Sequence, residues 1–317
     1  MSMSNCPLIV ITGPTATGKT ALGVALCRAL GGEVVSADSM QIYRGMDIGT
    51  AKPTAAEREG VPHHMIDVAD PGETWSVARW AELADAAVRD IQARGRRPVV
   101  VGGTGLYIEA LLTGREYGAA PEDPSLRERL SAEYDALGGE AFREKLRDVD
   151  PLRADKLAPA DKKRLVRAME VFTLTGETIT AHDERTRALP PRYDSVRFAL
   201  TYSDRETLYE RIRRRVDAMA ADGLFEEVEA LLRSGLRADS TAMQAIGYKE
   251  IAAALRGECS REEALETVKR ESCRYAKRQL TWLRRDSGLR WIPREDCPDT
   301  PSALERVLCS LSGISAC

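Results

Sequence analysis

The chain has 317 residues, of which 43% are hydrophobic and 30% charged, and its formal net charge is −3. A chain of this length can bury a sizeable core, as one large α/β domain or as two smaller ones. The composition excludes a disordered protein, because the hydrophobic fraction is ordinary and the net charge is small. No apolar run approaches the about 18 residues of a membrane span, and the seven scattered cysteines form no C-x-x-C pair of a zinc site. We therefore expect a protein of the cytoplasm with no membrane partner.

The first predicted elements alternate between strand and helix. The apolar run Leu8–Thr12 predicts a buried strand, and the Ala- and Leu-rich stretch Lys19–Leu30 predicts the helix that follows it. Further short apolar runs predict strands at Val34–Val35, Met65–Asp67 and Pro98–Val101, with a helix over Trp75–Arg94. Such alternation is typical of an α/β fold with a doubly wound, mostly parallel sheet.

Residues 118–195 differ in character from the segments on either side. Prolines divide short helical patterns there, charged residues are frequent, and strand patterns are missing. We interpret this segment as a separately mobile helical insertion lobe, which divides the core into a first part, residues 1–117, and a second part, residues 196–317. The second part contains a predicted strand at Val196–Thr201, capping boxes Ser203 to Glu206 and Ser260 to Glu263 that open long helices, a strand at Leu289–Ile292, and a helix begun by Thr300.

The segment between the first strand and the first helix matches the phosphate-binding pattern G-x-x-x-x-G-K-[ST]. It consists of Gly13, Pro14, Thr15, Ala16, Thr17, Gly18, Lys19 and Thr20. In this position the glycines let backbone amides converge on phosphate oxygens at the amino end of a helix. Lys19 supplies a positive charge and Thr20 a hydroxyl ligand for Mg²⁺. The pattern predicts a P-loop-type fold.

The chain lacks the acidic residue that usually holds Mg²⁺ at the end of a second buried strand in P-loop ATPases and GTPases. The strand Pro98–Val101 is followed there by Gly102, Gly103 and Thr104. We therefore expect the loop to hold a phosphate group that leaves, with no water positioned to attack it. Two classes of enzyme fit: a small-molecule kinase, and an enzyme that transfers another group from a diphosphate ester.

Asp38 follows the strand Val34–Val35 and so reaches the same edge of the predicted sheet as the phosphate loop. A carboxylate there can accept a proton from a nucleophile. Gln41 lies close by in the sequence, and its amide can make a two-point match to an adenine edge. A helix cap explains Asp38 equally well from spacing alone.

A basic stretch lies near the carboxyl end of the chain. Between Leu265 and Arg290 there are eight basic and three acidic residues, so that this segment carries +5 and the remainder −8. One face of the predicted helix carries Tyr275, Arg278, Gln279 and Trp282. Such a segment suits a polyanion that docks in one orientation, and a solvated or core-packed helix face is the alternative.

Seven segments carry a resemblance that spans nearly the whole chain. They are Gly13–Thr20, Asp38–Tyr43, Gly49–Pro53, Pro62–Asp67, Val101–Tyr107, Ile246–Glu250 and Ala276–Arg284. In this order they resemble the motifs of bacterial tRNA dimethylallyltransferases. The resemblance implies transfer of a dimethylallyl group from dimethylallyl diphosphate to N6 of the adenosine at tRNA position 37, beside the anticodon. It also accounts for the missing acid, because the loop then holds a diphosphate leaving group.

The resemblance further implies roles for individual residues. Lys19, Thr20, Asp38 and Thr104 are the implied catalytic residues, with Mg²⁺ at Thr20 and with Asp38 accepting a proton from the amine. The loop Gly13–Thr20 binds the diphosphate together with Arg211 or Arg215, which the sequence does not distinguish. Contacts to tRNA are implied for Asp38, Ser39, Met40, Gln41, Thr104, Arg127, Lys163, Arg164, Leu165, Val166, Arg167, Gln244, Ala245, Ile246, Gly247, Tyr248 and Lys249, and the basic stretch adds Arg274, Lys277, Arg278, Gln279 and Trp282.

The expected partners are the anticodon stem-loop of tRNA and dimethylallyl diphosphate, bound by a monomer. Three alternatives remain open at this point. The same chemistry occurs on free nucleotides in adenylate isopentenyltransferases, a kinase is compatible with Asp38 and the phosphate loop, and a non-catalytic RNA-binding protein could use the loop as a nucleotide switch.

Overall fold

Residues 6–117 and 123–312 are described by the structure, a computed structural model. The strands are β1 (Leu8–Thr12), β2 (Gly32–Ser36), β3 (His63–His64), β4 (Arg97–Val101), β5 (Ser195–Thr201) and β6 (Leu289–Pro293). The helices before β5 are α1 (Lys19–Leu30), α2 (Ala55–Arg58), α3 (Val77–Ala93), α4 (Gly105–Leu112), α5 (Pro124–Leu137), α6 (Gly139–Arg147), α7 (Pro151–Lys156), α8 (Lys162–Thr175) and α9 (Ile179–Arg187). Those after it are α10 (Arg205–Ala221), α11 (Leu224–Arg233), α12 (Tyr248–Leu255), α13 (Arg261–Leu283) and α14 (Thr300–Ser312).

The strands form one sheet in the order β3-β2-β4-β1-β5-β6. Within the described part of the chain each pairing is parallel, as where Ile9 of β1 pairs with Val99 of β4 on one side and with Val196 of β5 on the other. Parallel strands require crossover connections, which the helices supply. This topology confirms the predicted α/β class. It also brings the carboxyl ends of β1, β2 and β4 to one edge, where the phosphate loop begins.

The central strand β1 is buried along its whole length. Burial on both faces explains why its sequence is a continuous apolar run and not an alternating one. Ile9 and Ile11 pack in one cluster with Leu22 of α1 and Val307 of α14. Elsewhere in the same unit Trp80 of α3 stacks on Tyr107 of α4, with ring centroids 4.4 Å apart. The rigid packing beneath the sheet edge fixes the loops that carry the site.

The chain divides into two compact units, Met1–Leu112 with Tyr193–Cys317, and Thr113–Arg192. The second unit thus begins and ends slightly before the predicted insertion of residues 118–195, whose residues 118–122 lie outside the described ranges. It is helical, and Leu126, Phe142 and Leu165 belong to its own hydrophobic core. Among the described residues, no helix is long and apolar enough to cross a membrane.

Two local predictions were wrong. The strand expected at Met65–Asp67 lies at His63–His64, because Met65 and Asp67 adopt left-handed backbone conformations with φ of 64° and 58°. The helix α10 is capped by Asp204 and not by Ser203, since the carboxylate of Asp204 accepts from the backbone N–H groups of Glu206 and Thr207. The capping box of Ser260 and Glu263 at the start of α13 is confirmed.

Candidate active site

The phosphate loop lies between the end of β1 and the start of α1. The Thr17 hydroxyl donates to the carbonyl oxygen of Pro14 at 2.9 Å, and Lys19 Nζ donates to the same oxygen at 2.7 Å. The backbone N–H of Thr15 donates to Oε1 of Gln279 from α13 at 3.0 Å. Side chains from within the loop and from a distant helix therefore hold its backbone in one shape.

Two cavities meet beside this loop. The smaller cavity, of about 90 Å³, is lined by Lys19 and Thr20 and by apolar side chains that include Val34 and Val101. The larger cavity, of about 300 Å³, is lined by apolar side chains of α10 and by the segment 244–247. Five residues line both cavities, namely Thr15, Asp38, Thr50, Arg215 and Tyr275. A group at this junction can therefore reach molecules in either cavity.

Asp38 lies at the junction of the cavities, and only one oxygen of its carboxylate is used to cap a turn. Its Oδ1 accepts from the backbone N–H groups of Met40 at 2.9 Å and Gln41 at 3.3 Å, which is the local capping that spacing alone allowed. In the described part of the chain no hydrogen bond reaches its second oxygen. Thr104 supports this turn, because its Oγ1 accepts from the backbone N–H of Ser39 at 3.1 Å. The capping and the proton-accepting explanations of Asp38 are thus compatible.

Two half-buried cations, Lys19 and Arg215, lie near Asp38. Burial and the charge of Arg215 together lower the pKa of Lys19 to about 7, although Asp38 opposes the change. Burial likewise lowers the pKa of Arg215, again opposed by Asp38. Burial and the nearby Asp38 raise the pKa of Tyr275 to about 12, so its hydroxyl keeps its proton. The junction therefore favours an anion beside the two cations.

The structure distinguishes the two arginines that the sequence left equivalent. A guanidinium N–H of Arg215 donates to Thr15 Oγ1 at 3.3 Å, and the side chain lines both cavities. Arg211 is exposed, donates to the carbonyl oxygen of Ala16 at 3.2 Å, and lies over the ring of Tyr202. Both arginines contact the loop, and Arg215 is the one that faces the cavities.

A steric reason explains the missing acid after β4. A Cβ atom on Gly102 would lie 2.1 Å from the carbonyl oxygen of Ala37, and one on Gly103 would lie 2.3 Å from Nε2 of Gln279. That Nε2 donates to the carbonyl oxygen of Gly103 at 2.9 Å. A larger residue at Gly102 would thus clash with the backbone, and one at Gly103 would displace the Gln279 amide, so close contacts occupy the place of the usual Mg²⁺-binding acid.

Comparisons with known proteins identify the family of this chain. A family model described as IPP transferase matches residues 41–286, and one described as isopentenyl transferase matches residues 6–69. The chain is 46% identical over 308 residues to the tRNA dimethylallyltransferase of Pelotomaculum thermopropionicum, with 97% of each chain covered. The chain belongs to the tRNA dimethylallyltransferase family.

Solved structures of family members share the fold. The tRNA isopentenylpyrophosphate transferase from Bacillus halodurans is 42% identical, with a TM-score of 0.72 over 97% of this chain and 96% of that one. A eukaryotic dimethylallyltransferase acting on tRNA is 30% identical, with a TM-score of 0.75 over 87% of this chain and 69% of that one. These findings confirm a transferase with a P-loop-type fold.

Several of the tRNA contacts implied by the family resemblance already have partners inside the protein. The Gln41 amide donates to the carbonyl oxygens of Thr50 and Ala51 and accepts from the Ser36 hydroxyl, so it lacks a free two-point edge for adenine. Gln279 is buried between the phosphate loop and Gly103. Both glutamines shape the site through the backbone.

The helix α13 carries the predicted basic surface of this family member. Its open groove is lined by Arg274, Lys277, Arg278, Thr281, Trp282 and Arg285. Arg274, Lys277 and Arg278 are exposed, and the Arg278 guanidinium lies over the Tyr275 ring at 5.6 Å from its centroid. The predicted stripe is therefore divided between an outward basic face and the inward side chain of Gln279.

In the second unit, two of the residues that the resemblance assigns to tRNA contacts pair with a single carboxylate. Arg127 and Arg167 bind the fully buried Glu170 at 3.1 Å and 2.8 Å. Burial opposes the change, yet hydrogen bonds from both arginines lower the pKa of Glu170. Lys163 and Arg164 are exposed. The remaining members of this set, Leu165 and Val166, are buried and unavailable for contact through their side chains.

The segment from Gln244 to Lys249 reaches the larger cavity in part. Gln244, Ala245, Ile246 and Gly247 line the cavity, as do Ser39 and Met40. Tyr248 is buried, and Lys249 is exposed.

Sequence analysis missed the apolar wall of the larger cavity. Ile212, Val216 and Met219 of α10 form it, with Leu224 and Val268. The first three recur at helical spacing on the side that carries Arg215, a pattern that could have revealed them beside a charged residue.

Proposed function

We propose that this chain transfers a dimethylallyl group from dimethylallyl diphosphate to N6 of the adenosine at tRNA position 37, beside the anticodon, and releases diphosphate. The observation that carries the proposal is the junction of the two cavities, where Asp38 lies among Lys19, Arg215 and the phosphate loop. The phosphate loop and the two cations suit the diphosphate of a donor, and the carboxylate of Asp38 suits an acceptor with a weakly acidic N–H.

The smaller cavity suits the donor. Its loop amides, Lys19 and Arg215 would bind the diphosphate, and Val34, Ile66 and Val101 offer apolar contact to a five-carbon chain. Positive groups fixed at the leaving oxygens stabilise the charge that develops as the allylic C–O bond breaks. Arg211, which supports the loop through Ala16, has the accessory role.

The larger cavity suits an adenine turned out of the anticodon loop. A base must leave its stack before its N6 can meet a buried donor. The N6 nitrogen attacks the allylic carbon, the C–O electron pair leaves with the diphosphate, and the N6 proton passes to the free carboxylate oxygen of Asp38. Thr104 acts through Ser39, whose backbone it holds next to Asp38.

Magnesium fits the residues present. Thr20 lines the smaller cavity, and no group of three or more His, Cys, Asp or Glu side chains occurs among the described residues. Mg²⁺ commonly keeps several waters and binds few protein ligands together with substrate phosphates, so the Thr20 hydroxyl and diphosphate oxygens would suffice. When bound, the ion would neutralise charge on the leaving group.

The anticodon stem-loop is the proposed macromolecular partner. The groove on α13 presents Arg274, Lys277 and Arg278 to solvent, and Arg127 and Arg167 add positive charge in the second unit. These groups suit backbone phosphates, and Trp282 in the groove suits stacking. All residues that line the two cavities belong to one unit, and we propose that the protein acts as a monomer.

One assay separates this function from its alternatives. The protein is incubated with radiolabelled dimethylallyl diphosphate or with γ-labelled ATP, each in the presence of tRNA or AMP. We expect label on tRNA from the prenyl donor alone. Phosphate transfer from ATP would indicate a kinase, label on AMP but not on tRNA an adenylate isopentenyltransferase, and no covalent transfer a binding module.

A further inference from the structure

Glu227 of α11 binds a run of backbone amides far away in the sequence. Its Oε2 accepts from the N–H groups of Asp47 at 2.9 Å and Ile48 at 2.8 Å, and its Oε1 accepts from that of Gly49 at 3.2 Å. The Tyr248 hydroxyl donates to Oε1 at 2.5 Å. A single carboxylate therefore satisfies four donors from two separate segments.

The two segments joined by Glu227 both contribute to the wall of the larger cavity. Gly49 and its neighbour Thr50 line the cavity from one segment, and Gln244–Gly247, just before Tyr248, line it from the other. The Tyr248 ring packs directly on Gly49, where a Cβ atom would lie 2.5 Å from the ring. The position of each segment thus depends on the other through Glu227 and Tyr248.

Other groups hold the loop at residues 47–52 from its opposite side. Lys52 Nζ donates to the carboxylates of Asp47 and Asp67 and to the carbonyl oxygen of Tyr43, and Gln41 donates to the carbonyls of Thr50 and Ala51. We therefore expect loss of Glu227 alone to leave residues 50–52 in place beside the smaller cavity. Its effect falls on the larger cavity.

We propose that Glu227 is a positioning residue for the acceptor nucleotide, acting through the amides of Asp47–Gly49 and through Tyr248. This inference rests on the proposed function, since it assigns the larger cavity to the flipped adenosine. Burial and the nearby Glu227 raise the pKa of Tyr248, so the phenol remains a donor. The contacts of Glu227 with Asp47–Gly49 and with Tyr248, here called the clasp, fix the width of the cavity without touching the base.

The test compares Glu227→Gln with Glu229→Gln on the same helix. In Glu227→Gln an N–H group replaces one of the two oxygens that accept from the backbone amides and from Tyr248. Glu229 is the control, because it pairs with Arg233 on the surface. Steady-state transfer is measured with tRNA and with dimethylallyl diphosphate varied in turn. We expect Glu227→Gln to raise the KM for tRNA about tenfold and to leave the KM for the diphosphate unchanged, and Glu229→Gln to match the unsubstituted protein.

A purely structural role predicts a different result. It would lower the fraction of active protein, and hence kcat, and would leave the KM values for tRNA and for the diphosphate changed equally or not at all. Either that result or an unchanged KM for tRNA overturns the proposal. If Glu227→Gln fails to fold, Tyr248→Phe tests the same clasp, because the ring stays on Gly49 while the hydroxyl is lost. Absence of transfer by the unsubstituted protein would instead overturn the proposed function, so the two failures are distinguishable.

Discussion

Asp38 caps a local turn, and we propose that the same side chain also accepts a proton in the reaction. One carboxylate oxygen caps the turn of Met40 and Gln41, while the junction of the cavities offers the other oxygen to a substrate. An asparagine at this position keeps a carbonyl oxygen for the turn but cannot accept a proton. The two roles can therefore be separated by a single substitution.

We expect Asp38→Asn to slow single-turnover transfer by about 10²- to 10⁴-fold, the usual worth of a general base. Affinity for tRNA should change little, because the turn that presents Ser39 and Met40 survives. Asp38→Ala, which loses the turn as well, should lower both. Equal losses of rate and affinity in the asparagine variant would assign Asp38 to binding.

Lys19 gives the site a pH dependence with a defined sign. Its pKa is lowered to about 7, so at pH 8 about nine tenths of the side chain is neutral, and at pH 6 most of it is charged. A bound diphosphate restores the charge, which requires a proton from the buffer at pH 8 and little at pH 6. Calorimetric titration with an unreactive alkyl diphosphate, in buffers of different ionisation enthalpy, measures this uptake.

The matched control for this titration is Lys19→Arg. A guanidinium stays charged at both pH values, so the variant should bind the ester without the additional proton at pH 8. Subtracting the proton uptake of Lys19→Arg from that of the unsubstituted protein also removes the contribution from ionisation of the diphosphate itself. Equal proton uptake by the two proteins would show that another group titrates.

At the scale of single elements, α13 has two working faces. Gln279 on the inner face ties the phosphate loop to Gly103, and Arg278 on the outer face lies exposed in the basic groove. The helix α13 thus connects the phosphate loop to the surface proposed to bind tRNA. We therefore expect substitutions on the inner face to affect the phosphate loop, and substitutions on the outer face to affect tRNA binding.

Arg278→Ala should weaken tRNA binding and reduce the slope of log affinity against log salt concentration by about one, because one phosphate contact releases about one counterion. Arg270→Ala is the matched control: it removes an equal charge from the same helix, at an exposed position beside Glu271. Filter binding of tRNA at several salt concentrations measures both slopes. An unchanged slope for Arg278→Ala would remove this residue from the interface.

The sequence predicts elements where local signals are strong and fails where distant residues decide. The continuous apolar run of β1 and the capping box at Ser260 are local features, and both were predicted correctly. The strand next to Met65 was misplaced because its backbone conformation is set by the surrounding structure, where Lys52 binds Asp67. The apolar wall at Met219 was missed since nothing local separates cavity lining from core.

For the molecule as a whole, charge is concentrated where the polyanion is expected. The segment between Leu265 and Arg290 carries +5 on a chain of net −3, and the second unit adds Arg127, held by Glu170. The residues outside this segment carry −8, which disfavours nonspecific coating of nucleic acid. We therefore expect basic residues of each unit, Arg127 and Arg278 among them, to contribute to tRNA binding.

This expectation predicts additivity between the units. Arg127 lies in the second unit and Arg278 in the first, and the free energies of substitutions that share no partner usually add within about 0.5 kcal/mol. If one tRNA engages both, the double variant Arg127→Ala with Arg278→Ala should lose the sum of the two single losses in binding free energy, and its salt slope should fall by about two. Competition binding against labelled tRNA measures all four proteins. A double variant no weaker than the weaker single one would contradict the prediction, because it would mean that loss of one arginine already removes the contact made by the other.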